Sequence, residues 1–175
     1  ANRVLYNLTG LRQVFLEQLH AFSDLDRDPV ERTVSVAYYA LINIQSHNES
    51  ITQQYSAQWF GLKDIPELIF DHGKMVAAAI DRLRYKASTE PIGFELLPPL
   101  FTMRSLQKLY EAIMDEPIDK RNFIKKINQL DILEKMEEKD RTSSKKGSFL
   151  YRFDKEKYMQ QSGKGFLIRL GNGAE

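Results

Sequence analysis

Cationic and amide side chains share one face of the segment 120–129. A helix over this segment, at about 100° per residue, buries Phe123 and Ile127 on one side. The opposite face carries Arg121, Asn122, Lys125 and Gln129. Arginine and asparagine side chains can make bidentate hydrogen bonds to guanine and adenine edges in DNA. The pattern therefore suits a DNA-recognition helix, although it also suits a solvated helix face, where Lys and Arg are common.

More cations lie near the ends of this helix and in a polar loop over residues 140–147. Their charged groups are suited to the phosphates of double-stranded DNA. They are Lys120, Lys126, Arg141, Lys145 and Lys146. Residues 95–175 contain 16 Lys and Arg against 13 Asp and Glu, whereas residues 1–94 contain 9 against 11. A locally basic second half, added to the helix pattern, favours nucleic-acid binding.

Several other kinds of chemistry are excluded. The chain has no cysteine, which excludes disulfides, thiolate zinc sites and cysteine nucleophiles. His20, His47 and His72 lack the spacing of metal ligands, and no glycine-rich phosphate loop or nucleophile elbow is present in its required setting. We therefore expect no catalytic residues, no metal site and no cofactor.

The composition is that of a folded protein, with 42% apolar and 11% aromatic residues. The longest nearly apolar run, 34–44, is far shorter than the roughly 18–20 residues of a membrane span. Absence of cysteine fits a reducing compartment. We expect a cytoplasmic protein that does not enter a membrane.

Charges of both signs crowd the segment 24–32, which lies between two predicted strands. Asp28, Arg27 and Arg32 could together hold a polyhydroxyl ligand. A salt-bridged turn and a dimer contact are equally ordinary uses of such a cluster.

Hydrophobic periodicity predicts an α+β protein. In the first half, the predicted elements are a helix over 2–8, strands over 14–22, 32–44 and 57–60, and a helix over 73–86. A linker at 88–91 and the prolines that follow place a domain boundary near residue 92. The predicted domains are therefore 1–92 and 93–170, followed by a disordered tail over 171–175.

The second domain combines two helices, a short turn and a hairpin. Thr102 and Asp119 are suited to cap helices that continue to about Ile113 and Leu130. Two strands follow, over 131–139 and 148–154, with the basic loop between them. A helix-turn-helix followed by such a hairpin is a winged-helix arrangement.

Several segments, in the same order along the chain, resemble the Nudix-related transcription regulators. These segments are 26–29, 34–41, 70–72, 94–98, 106–113, 119–123 and 150–153. The resemblance implies a partial Nudix-type α/β/α sandwich followed by a winged helix-turn-helix domain.

Residues 3–11 are similar to the second half of the Nudix signature. The matching scaffold residues are Arg3, Leu5, Gly10 and Leu11. The positions of the three metal-binding glutamates are occupied by Val4, Asn7 and Leu8. Apolar side chains cannot coordinate the magnesium ions that Nudix hydrolases use, so the resemblance implies a domain used for binding. We expect that the first half of the signature precedes Ala1.

The sequences of residues 90–94 and 119–123 resemble those of a sugar-responsive branch of the family, for which L-arabinose is the best-known effector. Other members sense ADP-ribose. The resemblance implies a homodimeric repressor that leaves a palindromic operator when a pentose binds the Nudix-like domain. The expected effector-binding residues are Arg27, Asp28, Arg32 and Tyr39. An ADP-ribose-responsive regulator, a residual Nudix hydrolase and a DNA-binding protein without an effector are the alternatives.

Overall fold

The computed structural model describes residues 1–12, 14–43, 55, 57–142 and 146–161. The chain divides into two compact units, residues 1–82 and residues 83–175. Lys145, the predicted tail and the segment 45–50 lie outside the described residues.

The first unit contains α1 (Asn2–Thr9), a hairpin of β1 (Glu17–Phe22) and β2 (Ser35–Tyr39), and the start of α2 (His72–Thr89). The two strands are antiparallel, with Glu17 opposite Tyr39 and Phe22 opposite Ser35. Both strands are shorter than predicted, because only these residues pair across the hairpin.

The predicted strand over 57–60 is wrong. The described part of the first unit holds a two-stranded sheet, β1–β2, and residues 57–60 form no strand. An apolar and aromatic run satisfies the side-chain pattern of a strand, but a strand also requires a neighbouring backbone to pair with. Trp59 and Gln58 instead line a cavity, described below.

The second unit contains β3 (Phe101–Thr102), α3 (Met103–Met114), α4 (Lys120–Gln129), β4 (Leu133–Asp140), β5 (Ser148–Phe153) and α5 (Lys155–Gln161). Its sheet has the order β3–β5–β4, with both pairings antiparallel. A short 3-10 helix over Phe94–Leu96 precedes β3. This is the predicted winged helix-turn-helix with two additions, β3 and α5.

Both helices of the helix-turn-helix begin where their caps predict. The Thr102 side chain accepts a hydrogen bond from the Ser105 amide, and the Ser105 hydroxyl accepts one from the Thr102 amide. Asp119 Oδ1 accepts a hydrogen bond from the Asn122 amide at 2.8 Å. These caps satisfy amides that have no partner within the helix and thereby fix each starting residue.

The core of the second unit lies beneath these two helices. Five large side chains are almost completely buried there: Leu106, Tyr110, Phe123, Ile127 and Ile132. The rings of Tyr110 on α3 and Phe123 on α4 lie 5.6 Å apart between centroids. Burial of this apolar stripe holds α4 with its opposite side outward.

The last turns of α2 belong to the second unit. Ala87 is completely buried in that unit's core, with Leu83 packed against it. Arg84 Nε donates a hydrogen bond to the Ile113 carbonyl at the end of α3, at 3.2 Å. The division after Arg82 follows from these contacts, and the sequence boundary near residue 92 stays a prediction. Among the described residues, no helix combines the length and hydrophobicity of a membrane span.

Candidate nucleic-acid interface

The outward face of α4 carries exposed polar side chains. The four predicted there, Arg121, Asn122, Lys125 and Gln129, are all exposed, as are Asn128 on the same side and Lys120 at the start of the helix. Phe123 and Ile127 are buried on the other side, as the helical period predicts. Lys126 differs from the other cations because it is half-buried and lies nearer the edge of the core. The helix therefore presents cationic and amide groups together on one surface.

The turn between α3 and α4 is fixed to α3 by side chains. Glu111 Oε1 accepts a hydrogen bond from the Ile118 amide at 3.1 Å and another from Gln107 Nε2 at 3.0 Å. The same Gln107 amide donates to the Ile118 carbonyl at 2.9 Å. Both backbone groups of Ile118 are thus bound to α3, which sets the direction in which α4 leaves the turn.

The β4–β5 hairpin carries exposed cations at the two ends of its loop. Arg141 and Lys146, on either side of the loop, are exposed, while Lys145 lies outside the described residues. Asp140 Oδ1 accepts hydrogen bonds from the Thr142 hydroxyl at 2.7 Å and the Thr142 amide at 2.8 Å. Both bonds lower the pKa of Asp140, and the bond from the Thr142 hydroxyl has the larger effect. The Asp140 turn therefore gives the start of the loop a defined shape.

Gly147 closes the other side of the loop. Its φ of 71° lies in the left-handed region, and a Cβ there would lie 3.0 Å from Lys139 Cβ. Glycine at this position lets the two strands stay close at the base of the loop.

Two lysine ammonium groups lie over the ring of Phe149 on the hairpin, a cluster that the sequence pattern did not predict. The ammonium groups of Lys135 and Lys139 lie 3.7 Å and 4.4 Å from the Phe149 ring centroid. The pairing of β4 with β5 is irregular between these lysines. The register at the start of the hairpin would place Phe149 opposite Glu137, and the irregularity instead places it opposite Lys139, which the sequence alone does not show.

Two of the expected effector residues are held within the first unit. Arg27 is buried, and its guanidinium donates to both carboxylate oxygens of Asp71, at 2.8 and 3.0 Å, and to the Ser35 hydroxyl at 2.8 Å. Hydrogen bonding from Arg27 lowers the pKa of Asp71. Asp28 accepts hydrogen bonds from the Val30 amide and the Thr33 hydroxyl, which lower its pKa.

The other two expected effector residues lie apart from each other. Arg32 Nη1 donates to the carbonyls of Ser23 and Asp24, so it also closes the charged turn. Tyr39 instead lines a cavity of about 280 Å³ with Tyr38 and Trp59. The structure thus brings Arg27, Asp28 and Arg32 into one turn and Tyr39 into an aromatic cavity.

Val4, Asn7 and Leu8, at the expected positions of the Nudix glutamates, carry no carboxylate. Val4 and Leu8 are 57% and 63% exposed, so these apolar side chains lie at the surface of the unit. Among the described residues, no group of three or more acidic or histidine side chains is arranged to hold a metal ion.

A family model matches most of the second unit. Residues 93–153 match the NrtR DNA-binding winged helix domain. This stretch is therefore similar in sequence to the winged-helix domain of NrtR proteins. The solved structure of Shewanella oneidensis NrtR is similar to 96% of this chain, over 76% of its own length, with a TM-score of 0.75 and 26% identity. The same NrtR complexed with a 27mer DNA gives the same TM-score and identity, over 98% of this chain and 77% of that one.

A curated relative extends the similarity to NrtR regulators beyond the second unit. The ADPR responsive transcriptional repressor NtrR of Acinetobacter baylyi is 31% identical over 160 residues. The match covers 90% of this chain, which spans 64% of the length of that relative. A MutT/nudix family protein from Enterococcus faecalis is 24% identical, with a TM-score of 0.55 over 87% of this chain and 67% of that protein.

These matches confirm a Nudix-like fold followed by a winged helix. The similarity to NrtR extends over most of the chain. They do not support the expected arabinose response, since the curated relative is named for a response to ADP-ribose. The resemblance to the arabinose-responsive branch depends on residues 90–94 and 119–123, and segments this short do not specify a ligand.

Proposed function

We propose that the chain belongs to a sequence-specific DNA-binding transcriptional repressor whose Nudix-like unit responds to ADP-ribose. The observation that carries this proposal is the outward face of α4, where cations and amides are held by a buried stripe and a fixed turn. The match of residues 93–153 to a DNA-binding domain supports the same function.

The proposed DNA contacts divide into two kinds. Arg121, Asn122 and Gln129 are placed to read base edges, because their side chains can make directional hydrogen bonds in the major groove. The remaining cations are proposed to bind phosphates and so to position the helix: Lys120, Lys125, Lys126, Arg141, Lys145 and Lys146.

We propose further that two copies bind a palindromic operator as a homodimer. A winged helix reads only a few base pairs, so a second copy supplies the rest of the site. The two half-sites are then expected about one helical turn apart, roughly 10 bp, or a multiple of it. The number of bound copies is measured by gel-shift electrophoresis of one operator with a mixture of the chain and a longer tagged form. A band of intermediate mobility shows that two copies bind one operator.

ADP-ribose is the proposed effector because the curated relative is an ADPR responsive repressor. The aromatic cavity lined by Tyr38, Tyr39 and Trp59 offers rings against which a nucleobase can stack. Arg27, Asp28 and Arg32 are proposed to act indirectly, by shaping the turn, since their polar groups already bind within the unit. To release DNA, the effector must bind more tightly to the form that does not bind the operator.

We propose that the Nudix-like unit does not hydrolyse its ligand. Val4 and Leu8 lack oxygen ligands, and Asn7 is a weaker ligand for magnesium than a glutamate. Incubation with ADP-ribose and magnesium should leave the nucleotide intact by chromatography. Magnesium-dependent release of AMP would instead favour a Nudix hydrolase.

The central experiment selects duplexes from a randomised pool and measures their affinity by fluorescence anisotropy. A selected duplex should bind more tightly than a scrambled one, and Arg121→Ala should reduce that preference. ADP-ribose should raise the melting temperature and weaken binding to the selected duplex, whereas L-arabinose should do neither. Equal affinity for selected and scrambled duplexes would contradict sequence-specific binding.

A further inference from the structure

A second cationic surface lies on α3, outside the residues that the sequence pattern identified. An open cleft of about 730 Å³ separates the start of α3 from the base of the hairpin loop. Arg104 and Lys108 line one side of it, and Asp140, Thr142 and Leu150 line the other. The cleft therefore has a wall with two cations on a helix and a wall with one carboxylate on the hairpin.

Arg104 and Lys108 project from α3 in the same direction, because they are four residues apart on the helix. Both side chains are exposed, and neither makes a hydrogen bond or ion pair with a described residue. Other cations of this unit hold acidic groups: Arg152 pairs with Glu134, and Lys157 pairs with Asp131. The α3 pair is thus available to an anion from outside the unit.

Asp140 is the one acidic group on the opposite wall. Its Oδ1 already accepts two hydrogen bonds from Thr142, which reduces its demand for a cation. Arg141, between Asp140 and Thr142 in the chain, is exposed but does not line the cleft. An anion in the cleft would meet two cations on α3, against one carboxylate that is already hydrogen-bonded to Thr142.

We propose that one phosphate strand of DNA lies along this cleft, with Arg104 and Lys108 binding its phosphates. This inference rests on the proposed DNA-binding function and adds α3 to the surface that contacts the duplex. A polyanion with regular charge spacing suits cations four residues apart, and the first helix of a helix-turn-helix crosses the DNA backbone. Since phosphates carry no base identity, this contact adds affinity for every sequence alike.

The test uses the variants Arg104→Gln and Lys108→Gln, singly and together, which keep helix propensity and remove charge. Affinity for a selected duplex and for a scrambled one is measured by anisotropy between 50 and 200 mM salt. Each lost phosphate contact should reduce the slope of log affinity against log salt by about 0.9. At 0.1 M salt this corresponds to a loss of roughly five- to tenfold per residue, equal for both duplexes.

Two controls separate this inference from the proposed function. Lys155→Gln removes the same charge from α5, where the residue lines a different groove with Phe94 and Pro98, and should leave the salt slope unchanged. Arg121→Ala should reduce preference for the selected duplex. Thermal melting of each variant verifies that the fold is retained.

If the double variant binds both duplexes with the original affinity and slope while Arg121→Ala loses preference, the α3 contact is wrong and the proposed function stands. If the double variant loses affinity for the selected duplex alone, the contact is a base contact, and the phosphate assignment is wrong. If the unsubstituted chain binds neither duplex, both proposals fail.

Discussion

Arg27 and Asp71, separated by 44 residues, form a buried two-point ion pair. Arg27 Nε bonds to Asp71 Oδ2, and Nη2 bonds to Oδ1. The remaining Arg27 nitrogen donates to the Ser35 hydroxyl on β2. One guanidinium therefore connects the charged turn, the hairpin and the residue that precedes α2.

Arg27→Lys is expected to destabilise the first unit, because an ammonium group cannot reproduce the two parallel bonds to Asp71. Arg27→Met, of similar length, leaves the Asp71 carboxylate buried without its partner and should destabilise the unit more. The melting temperature, or protease sensitivity of the segment 14–43, measures both effects. Arg3→Met, at an exposed site of α1 where the side chain makes no hydrogen bond or ion pair with a described residue, is the matched control and should change stability little.

The contribution of this pair to stability should depend on pH in the acid range only. The pKa of Asp71 is lowered by hydrogen bonding from Arg27. The unfolded chain, with an ordinary Asp pKa of about 3.9, takes up this proton first as pH falls. The stabilisation is therefore complete above the ordinary pKa and is lost as pH falls through the lowered one.

Urea unfolding of the chain and of Asp71→Asn, repeated from pH 7 to pH 3, measures this dependence. The difference in unfolding free energy between them should be constant near neutral pH and should shrink toward the acid end. A difference that grows on acidification would contradict the assignment. Asp28 also has a lowered pKa, so Asp28→Asn separates its contribution from that of Asp71.

The sequence specified the helix-turn-helix closely because its signals are local. α3 and α4 begin immediately after their capping residues, Thr102 and Asp119, and each buries the stripe that a 3.6-residue period predicts. The helix α5 was missed because its polar segment has little periodicity, and Tyr158, packed against the core, is its main anchor. Sequence patterns predict a helix well where it has a capping residue and a periodic apolar stripe, and poorly where it has neither.

The residues that sequence reasoning missed depend on contacts between distant segments. No spacing rule relates Arg27 to Asp71, so the sequence does not show that these two residues form a buried ion pair. Arg104 and Lys108 line a cleft only because the β4–β5 hairpin, which comes later in the chain, forms its other wall. Tertiary contacts determine the partners of these charged side chains, and such contacts produce no periodic pattern in the sequence.

Glu111→Ala should weaken DNA binding without touching DNA-contacting side chains. The Glu111 carboxylate binds the Ile118 amide and thereby fixes the turn before α4. Hydrogen bonds to charged groups contribute about 1.5–3 kcal/mol, so urea unfolding should show a loss in that range. Affinity for a selected duplex should fall while the salt slope stays unchanged, because no phosphate contact is removed. Glu116→Ala, an exposed acidic residue of the same turn, is the matched control; equal effects of the two variants would contradict a specific role for Glu111.

The Phe149 ring is expected to stabilise the hairpin through its π face and not only through its apolar area. Phe149→Leu retains an apolar side chain but removes the face over which the Lys135 and Lys139 ammonium groups lie. Exposed cation–π contacts contribute about 0.5–1 kcal/mol each, so the loss should reach about 1–2 kcal/mol, whereas Phe149→Trp should retain stability. A double-mutant cycle with Lys139→Gln, measured by urea unfolding, isolates one contact from the packing of the ring. A coupling energy of zero in that cycle would show that the lysine stem, and not its charge, packs on Phe149.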